Sequence, residues 1–449
     1  MATAAIPNYL RGQLQEAWQE IPPGHRFGLY ASVWQPSWKK VSDETARSLD
    51  KVCKLGKGNR ELLTGLRARQ QALADQRGEH LLQISAIATS PLTTGLGIEH
   101  PTENGFAFLS PYGLPYLAGS GVKGVLRRAA EELALGLYGD PKGWTLPAVW
   151  WLFGFEGGST YLAGAPHASD PYLREEAERQ RAAYLHAVEA LDANDESLVS
   201  FLKLIDADAR YQHDSLRFLR DLVDDRKLRD KPRNQGALRC WDVLPDLERL
   251  EVDVLTAHHR KYYEGDHAPH DSENPVPVYF LTLPPGSQFD FHIACDAQRL
   301  PDGLRESWPA LMSAALEHAF DWLGFGAKTS VGYGQMARNR NREVERAEQR
   351  QAAAEQAREA QRQAELSPVE REIEALLENV QLQEQDSHLL RELEAGRWEG
   401  ENASLVAKRI KALMEQNGKW RPDFSGSNKK KKQQRDISLR VQQHIQRDS

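Results

Sequence analysis

The order of hydrophobic patterns between residues 80 and 340 constrains the fold of this chain more than any other feature of its sequence. The segment HLLQISAIATS alternates apolar and polar residues as a strand does, and LPYLAGSGVKGVLRRAAEELALG follows with the spacing of an amphipathic helix. Further strand-like segments, a second helical segment and a last short strand-like segment complete the series. Strand, helix, strands, helix, strand is the order of a ferredoxin-like α+β unit, which we predict over residues 80–340.

Two regions added to this unit are expected to be helical. A charged, helix-like block at about residues 170–233 interrupts the core as an insertion. Past Arg338 the composition changes to alanine, glutamate, glutamine and arginine with almost no large apolar residue, which predicts a charged helical linker over residues 341–366. A chain that ends near Arg340 is therefore expected to keep a folded core.

The C-terminal part of the chain carries a further helix signal. Ser367 and Glu370 have the spacing of a capping box, with a proline at the first helical position, so a small helical region is predicted over residues 367–424. Residues 425–449 are predicted to be a basic flexible tail, whose four consecutive lysines are solvated or, as the alternative, make an accessory RNA contact. Residues 1–79 are predicted to pack on the core as an N-terminal segment.

Composition and charge limit the classes of function. The net charge of −7 argues against a nucleic-acid binder that uses its whole surface, so any RNA contact has to be a local basic stripe. The three cysteines are far apart and without CxxC spacing, which argues against a zinc ribbon or a disulfide framework and favours a reducing compartment. No export signal is visible, and no apolar stretch approaches the ~20 residues of a membrane span. We expect a cytoplasmic protein that needs no cofactor and no membrane.

A glycine-rich segment opens the first predicted helix of the core. Ser120 is expected to be its N-cap, and Gly119 and Gly121 to allow another backbone to approach closely. Lys123 and Arg127 share one face of the helix, where a cation in the first turn opposes the helix dipole at a cost of up to ~1 kcal/mol. That cost favours an anion such as phosphate at the helix start, with a lysine that points into water as the alternative. The expected apolar face consists of Val122, Val125, Leu126, Ala129 and Leu133.

A second glycine-rich segment, WLGFGAKTSVGYGQM, follows the last predicted helix of the core. It is not a nucleotide-binding P-loop, because Ala327 separates Gly326 from Lys328 and because the order is helix then strand. It is not a dinucleotide fingerprint either, since Thr329 stands where the third glycine belongs. What remains is a glycine-rich loop with Lys328, Thr329 and Ser330 at its centre, able to follow a nucleic-acid backbone. A tight turn that only requires glycine is the alternative.

Several strings of the sequence carry a resemblance to a known family. GSGVKGVLR after a long loop, LFGFEG and the later GFGAKTSVGYG resemble the RAMP superfamily of CRISPR-associated RNA-binding proteins. More particularly, TGLGIEHPTENGFAFL, LPYLAGSGVKGVLR, VDVLTAHHRKYYEG and WLGFGAKTSVGYG resemble the sixth-subunit family of the Cmr (type III-B) RNA-guided effector complexes. The resemblance covers roughly residues 80–340.

The resemblance implies a fold, a role and a set of partners. The fold is an RRM-like core, and the role is binding and assembly in a multisubunit ribonucleoprotein near the 3′ end of the CRISPR RNA, with target cleavage by another subunit. The implied partners are CRISPR RNA, target RNA, other Cmr-type RAMP subunits and the small helical subunit of the complex. The loops Gly119–Arg127 and Phe325–Gly334 are then the RNA-facing ones. A structural adaptor without RNA contact, favoured by the negative net charge, stays open as an alternative.

The histidine-rich segment VDVLTAHHRKYYEGDHAPHDSENP has three interpretations. It lacks a helical H-x-x-x-H pair and tetrahedral ligand spacing, so no metal site is predicted. The preferred interpretation is an RNA-surface loop in which Arg260 and Lys261 meet phosphates. Tyr262, Tyr263 or an imidazole would then stack on bases or fill the gap beside a displaced base. The alternatives are packing of the two tyrosines in the core and a metal-independent endoribonuclease with His258 or His259 as general acid or base.

Overall fold

The computed structural model of the chain describes residues 3–35, 37–41, 45–257, 265 and 276–446. The chain divides into two compact units, Met1–Glu343 and Val344–Ser449. The strands of the first unit are β1 Leu81–Ala88, β2 Phe108–Leu109, β3 Leu114–Pro115, β4 Leu238–Cys240, β5 Glu251–Ala257, β6 Val276–Thr282, β7 Gln288–Cys295 and β8 Met336–Arg338. Its helices are α1 Arg11–Ala17, α2 Pro23–Gly28, α3 Thr45–Cys53, α4 Lys57–Arg77, α5 Gly119–Ala134, α6 Leu146–Phe153, α7 Thr160–Ala163, α8 Pro171–Ala190, α9 Glu196–Leu204, α10 Ala209–His213, α11 Ser215–Asp224, α12 Arg226–Arg229 and α13 Asp302–His318.

The central sheet has the predicted ferredoxin-like topology. Its four strands lie in the order β4-β7-β1-β8, and each neighbouring pair is antiparallel. Ile84 of β1 pairs with Phe291 of β7, and Ala88 pairs with Met336 of β8. The first and third strands of the strand-helix-strand-strand-helix-strand series are therefore central, and the second and fourth form opposite edges. The predicted fold class is confirmed.

The helices α5 and α13 cover one face of this sheet, because each has an apolar stripe at helical spacing. All five residues that the sequence assigned to the apolar face of α5 belong to or pack against the main hydrophobic core. The sheet contributes side chains that alternate along the strands, among them Ile84, Phe289, Phe291 and Ile293, all at most 1% exposed. The apolar periodicity of the sequence thus specified both layers of the core.

The predicted helical insertion is confirmed as the five helices α8 to α12. These helices share the main core of the unit, since Tyr184, Phe201, Phe218 and Leu219 are fully buried in the same cluster as the sheet residues. The hydroxyl of Tyr184 donates to the carbonyl oxygen of Leu219 at 2.7 Å, which joins α8 to α11. The insertion is therefore a packed layer of the first unit, as expected from its amphipathic helices.

The end of the first unit lies three residues beyond Arg340, where the sequence placed the end of the core. Arg342 donates to both carboxylate oxygens of Asp290, at 3.1 and 2.9 Å, and Glu343 accepts from the backbone N–H of Ser85 at 3.0 Å. Glu343 also accepts from the guanidinium of Arg338. The sequence did not reveal this anchor, because it consists of charged residues at the start of a run that otherwise resembles a solvated helix.

The second unit is a small helical bundle. Its helices are α14 Arg340–Glu365, which begins in the first unit, α15 Pro368–Leu377, α16 Gln385–Glu394, α17 Glu401–Gln416 and α18 Lys429–Gln446. None of the residues of α14, all of which the structure describes, is buried. The capping box of Ser367 and Glu370 is present at the start of α15, as predicted. The bundle core is formed by Ile373, Leu377, Leu389, Leu390, Leu393, Trp398, Ala403, Val406, Ala407, Ile410, Leu413, Met414 and Val441.

The C-terminal residues differ from the expectation of a basic flexible tail over 425–449. Residues 429–446 form α18, and its Val441 and Ser438 are fully buried against the bundle. Ile437 and Ile445 pack on the same core, so the helix buries a stripe at i, i+4 and i+8. Three apolar residues spread among glutamines, arginines and lysines are a weak signal in the sequence, which explains the difference.

Candidate nucleic-acid interface

The first glycine-rich segment is built into the edge of the sheet at β4. The helix α5 begins at Gly119 with Ala118 as its N-cap, two residues before the predicted N-cap Ser120. Ser120 is exposed and makes no cap hydrogen bond. The N–H of Gly119 donates instead to Oδ1 of Asp242 at 2.7 Å. A side chain at Gly119 would overlap the carbonyl oxygen of Cys240, as the prediction of a close backbone approach requires. Gly121, by contrast, has open space beside it, so no other backbone of this unit approaches it closely.

The cations of α5 have partners inside the first unit. The ammonium of Lys123 donates to the carbonyl oxygen of Leu238 at 2.9 Å, and burial lowers its pKa from the ordinary value. Arg127 pairs through Nε with Glu131 at 3.0 Å and through Nη1 with Glu156 at 3.1 Å. Asp242 already receives a hydrogen bond from the first turn. A phosphate at this helix start would have to displace these partners, so the structure does not bring the two cations together around an open anion site.

A buried hydrogen bond between an imidazole and a carboxylate joins α5 to α13, and the sequence did not reveal it. Nε2 of His318 lies 2.9 Å from Oε2 of Glu132, and Nε of Arg128 lies 2.6 Å from Oε1. Burial raises the pKa of Glu132, but the hydrogen bonds from His318 and Arg128 outweigh it and leave that pKa below its usual value. The feature of the sequence that could have indicated this buried contact is Glu132, a glutamate next to the buried position Leu133 of the helix. The pair fixes the helix that leads into the second glycine-rich segment.

The second glycine-rich segment, Phe325–Gly334, is a loop held at both ends by backbone hydrogen bonds. The N–H of Ala327 donates to the carbonyl of Thr93 at 2.7 Å, and the N–H of Gly334 donates to that of Pro91 at 2.8 Å. Gly326 has φ of +90°, and a side chain there would overlap the carbonyl oxygen of Thr93. The turn therefore needs a glycine at position 326, as the alternative interpretation of the sequence proposed. The backbone hydrogen bonds at both ends define the conformation of the loop.

The centre of this loop faces outward. Lys328 has φ of +61° in the left-handed region, which is uncommon for a residue with a side chain and is enriched at functional sites. Its ammonium lies 5.3 Å from the centre of the Phe280 ring, and the residue is half-buried. Thr329 to Val331 form one 3₁₀ turn, in which Ser330 is exposed. The loop thus presents an ammonium and two hydroxyl groups beside one another.

The hairpin of β5 and β6 packs against the same loop. Phe280 of β6 is 1% exposed and lies under both Lys328 and the ring of Tyr333. The hydroxyl of Tyr333 donates to Oδ2 of Asp253 at 2.7 Å, and burial together with this carboxylate raises the pKa of Tyr333 to about 12. The strands are paired as far as Ala257 and Val276. The predicted contact residues that join them in sequence, His258, His259, Arg260, Lys261 and Tyr262, lie outside the described residues.

The two glycine-rich segments occupy different edges of the sheet. The start of α5 contacts residues of and after β4, whereas the loop Phe325–Gly334 leads into β8 and contacts the hairpin of β5 and β6. β4 and β8 are the opposite edge strands. The structure therefore brings Gly326, Lys328, Thr329 and Ser330 together with the base of the hairpin, and it does not bring Lys123 or Arg127 to them.

An exposed aromatic pair lies just before the loop. Trp322 is 66% exposed and Tyr138 is 47% exposed, and their ring centroids are 5.3 Å apart. Val331, at the outer side of the loop, is 63% exposed. Large exposed apolar side chains that lie close together are typical of surfaces that contact another molecule.

The described residues offer little for metal or thiol chemistry. Within them, no group of three or more histidine, cysteine, aspartate or glutamate side chains could hold a metal ion. Burial raises the pKa of each of the three thiols to about 12, so Cys53, Cys240 and Cys295 are held as thiols. None of the helices in this part of the chain has the length and apolar character needed to cross a membrane.

Comparison with known proteins identifies the family. The model of the RAMP superfamily matches residues 86–337, which are more than half of the 449 residues and extend from β1 to β8. The chain belongs to the RAMP superfamily. The RAMP match ends before the second unit, so the family accounts for the ferredoxin-like unit with its insertion and leaves the helical bundle unexplained.

The chain is also similar to individual proteins from which it differs widely in sequence. The chain is 24% identical over 263 residues to CRISPR system Cmr subunit Cmr6 of Pyrococcus furiosus, and the match covers 55% of this chain and 65% of that relative. The crystal structure of Cmr6 from the same organism is similar over 58% of this chain and 98% of that one, at 24% identity and a TM-score of 0.27. A cryo-EM structure of the Type III-B Cmr-beta bound to cognate target RNA contains a chain that is similar over 66% of this chain and 71% of its own, at 15% identity and a TM-score of 0.36.

Proposed function

We propose that this RAMP protein is a non-catalytic RNA-binding subunit of a type III-B (Cmr) CRISPR ribonucleoprotein effector complex in antiviral defence. In this role it contacts the 3′ region of the CRISPR RNA and its duplex with the target RNA, and it helps to assemble the complex. Membership of the superfamily and the similarity to a Cmr subunit support the proposal. The observation that carries it is the outward-facing loop with Lys328, Thr329 and Ser330, which is held rigidly on a ferredoxin-like sheet.

The loop suits contact with a phosphate backbone. Its one ammonium and two hydroxyl groups are hydrogen-bond donors, and the bonds to Pro91 and Thr93 hold the backbone that carries them. Such contacts position an RNA strand without reading its bases. We therefore assign the loop the task of holding the strand, while sequence recognition remains with base pairing in the guide RNA.

In this proposal the cations near the start of α5 stabilise the fold and do not bind RNA. The bonds of Lys123 to Leu238 and of Arg127 to Glu131 and Glu156 make these cations supports of the fold. Contact of Gly119, Ser120 and Gly121 with RNA remains a prediction from the resemblance. Ser120 and Gly121 are exposed at the helix start, so the backbone there is open to a neighbouring molecule.

The assembly role is supported by the exposed pair Tyr138 and Trp322 and by Val331, which is exposed on the loop. Aromatic residues are enriched in protein interfaces and depleted on free surfaces. This patch lies next to the loop, so a neighbouring RAMP subunit or the small helical subunit of the complex could cover it while RNA occupies the loop.

Purification from the native host tests the function. The chain is expected to co-purify with other RAMP subunits, a small helical subunit and short RNAs that share a repeat-derived 5′ tag. Recovery of the protein partners without RNA would support the structural adaptor instead. Site-specific cleavage of labelled repeat RNA by the purified chain, abolished in His258→Ala or His259→Ala, would support the endoribonuclease.

A further inference from the structure

The charges of the second unit are strongly separated along the chain. Residues 344–407 carry seven lysines and arginines against fifteen aspartates and glutamates, whereas residues 408–449 carry twelve against four. The unit is neutral as a whole, so its basic end is invisible in the net charge. Such an asymmetry between two halves is typical of a segment that interacts with a polyanion.

The four consecutive lysines of the basic half differ from the other cations of the unit, among which Lys419 pairs with Asp386 and Arg440 with Glu394. In the acidic half, Arg362 pairs with Glu359 and Glu374, and Arg397 pairs with Glu372 and Glu392. In the basic half, the four lysines Lys429–Lys432 are exposed, and within the residues that the structure describes none of them forms an ion pair with a carboxylate. The positive charge of this run is therefore free to act on another molecule.

The position of the lysine run is fixed by the fold. Residues 429–432 form the first turn of α18, whose remaining length is docked by buried Ser438 and Val441. Oδ1 of Asn428 accepts from the N–H of Lys431 at 3.1 Å and caps the helix. Four cations in a first turn that contains no carboxylate oppose the helix dipole and repel one another. A bound polyanion would remove both penalties.

Two aromatic rings lie beside these cations on the connection between α17 and α18. The ammonium of Lys411 in α17 lies 5.3 Å from the centre of the Trp420 ring, and that of Lys431 in α18 lies 5.8 Å from the centre of the Phe424 ring. Both rings are partly exposed. Lysines from two helices thus frame two aromatic side chains of one connection. This combination suits a strand of nucleic acid, because the cations meet phosphates and each ring offers a face to a base.

We propose that the surface formed by Lys411, Trp420, Phe424 and Lys429–Lys432 is a second nucleic-acid binding site, which holds the backbone of a single-stranded RNA. This site lies outside the part of the chain that matches the RAMP superfamily, and it does not depend on the RNA contact proposed for the first unit. An acidic protein segment would use the same charges but would gain little from the two rings.

The test compares two full-length variants of equal charge. In the first, Lys429–Lys432 are all changed to glutamine, which has a similar helix propensity and therefore keeps α18 intact. In the control, four exposed lysines of the first unit are changed to glutamine: Lys51, Lys203, Lys227 and Lys231. The probe is a single-stranded RNA of about 20 nucleotides, longer than the ~4–16 nucleotides that one binding groove covers. Affinity is measured at several salt concentrations.

The first variant is expected to bind this RNA at least about tenfold more weakly, and its salt slope should fall by about 0.7 for each phosphate that a lysine no longer neutralises. The control should bind within about twofold of the native chain. Photo-crosslinking with a thiouridine-substituted RNA should place adducts between residues 420 and 424 in the native chain and not in the first variant. Failure of the function proposed for the first unit would leave these results unchanged.

Three outcomes would overturn the inference. An unchanged affinity and salt slope in the first variant would show that the lysine run is merely solvated. An equal reduction of affinity in both variants would show that bulk charge alone attracts RNA. Polyglutamate that competes with RNA at equal charge concentration, without crosslinks at the aromatic residues, would assign the surface to an acidic protein partner.

Discussion

The two glycine-rich segments of the first unit have similar sequences and different structural roles. Each places a lysine next to glycines at the end of a structural element. At the start of α5, Lys123 turns inward to the carbonyl of Leu238, and Asp242 caps the helix. In the loop before β8, Lys328 remains at the surface over the ring of Phe280. A lysine next to glycines therefore does not by itself define an anion site. Whether the ammonium is available to an anion depends on the carbonyls and carboxylates within its reach.

The largest change in stability that tests this comparison is expected on substitution of Gly119. Its replacement by alanine would drive a methyl group into the backbone of Cys240 and Trp241, and the free energy of unfolding should fall by about 3 kcal/mol or more. Gly121→Ala is the matched control, because nothing lies within 4 Å of the added carbon and alanine is favoured in a helix by up to ~1 kcal/mol. Urea unfolding of both variants measures the difference. Equal stability of the two would contradict the structural role of Gly119.

The next largest effect is expected at the buried contact of Glu132 with His318, which joins α5 to α13. Glu132→Gln should lower the free energy of unfolding at neutral pH by about 1–3 kcal/mol, because His318 and Arg128 lose a charged partner. The pKa of Glu132 is below its usual value in the folded chain, so its contribution is complete above the unfolded value and is lost as the pH falls through the folded one.

The stability difference between native chain and Glu132→Gln should therefore shrink at acidic pH, which unfolding curves at several pH values would show. Glu156→Gln is the control, since Glu156 is 58% exposed and its pair with Arg127 is solvated. A difference between the native chain and Glu132→Gln that grew on acidification would have the wrong sign for this account.

The smallest effect concerns Ser120. Because Ser120 makes no cap hydrogen bond, Ser120→Ala should change the stability of the first unit by less than about 0.5 kcal/mol. Ser367→Ala removes a true capping box and should destabilise the second unit by about 1 kcal/mol. Thermal unfolding of both variants compares them. A cost at Ser120 as large as that at Ser367 would restore the cap predicted from the sequence.

The fold could be predicted from the sequence because it depends on periodicity. The alternation in β1 and β7, the stripe of α5 and the charged insertion are all local patterns, and their order predicted the ferredoxin-like class. The pairing of the strands is seen only in the structure. Side-chain partners could not be predicted in the same way. Lys123 meets a carbonyl 115 residues away, and Glu132 meets a histidine 186 residues away. No local pattern distinguishes these buried pairs from free charges.

The basic end of the second unit is another region whose structure could not be predicted from the sequence. The run Lys429–Lys432 resembles a flexible tail in the sequence, yet it is the first turn of a docked helix. The stripe that docks it, Ile437, Val441 and Ile445, contains one apolar residue per turn. Such a stripe can dock a helix only where the folded bundle offers an apolar surface, which the local sequence of the helix does not show.

The comparison between Lys123 and Lys328 can be tested directly by changing each of them to methionine, which keeps the length of the stem and removes the charge. Unfolding free energy and the salt dependence of single-stranded RNA binding are measured on the full chain. Lys123→Met should lower stability by about 1–3 kcal/mol, since the buried carbonyl of Leu238 loses its donor, and should leave the salt slope unchanged. Lys328→Met should keep stability within about 0.5 kcal/mol and reduce the salt slope by about 0.7. The opposite result, with the salt slope reduced by Lys123→Met and unaffected by Lys328→Met, would contradict the account.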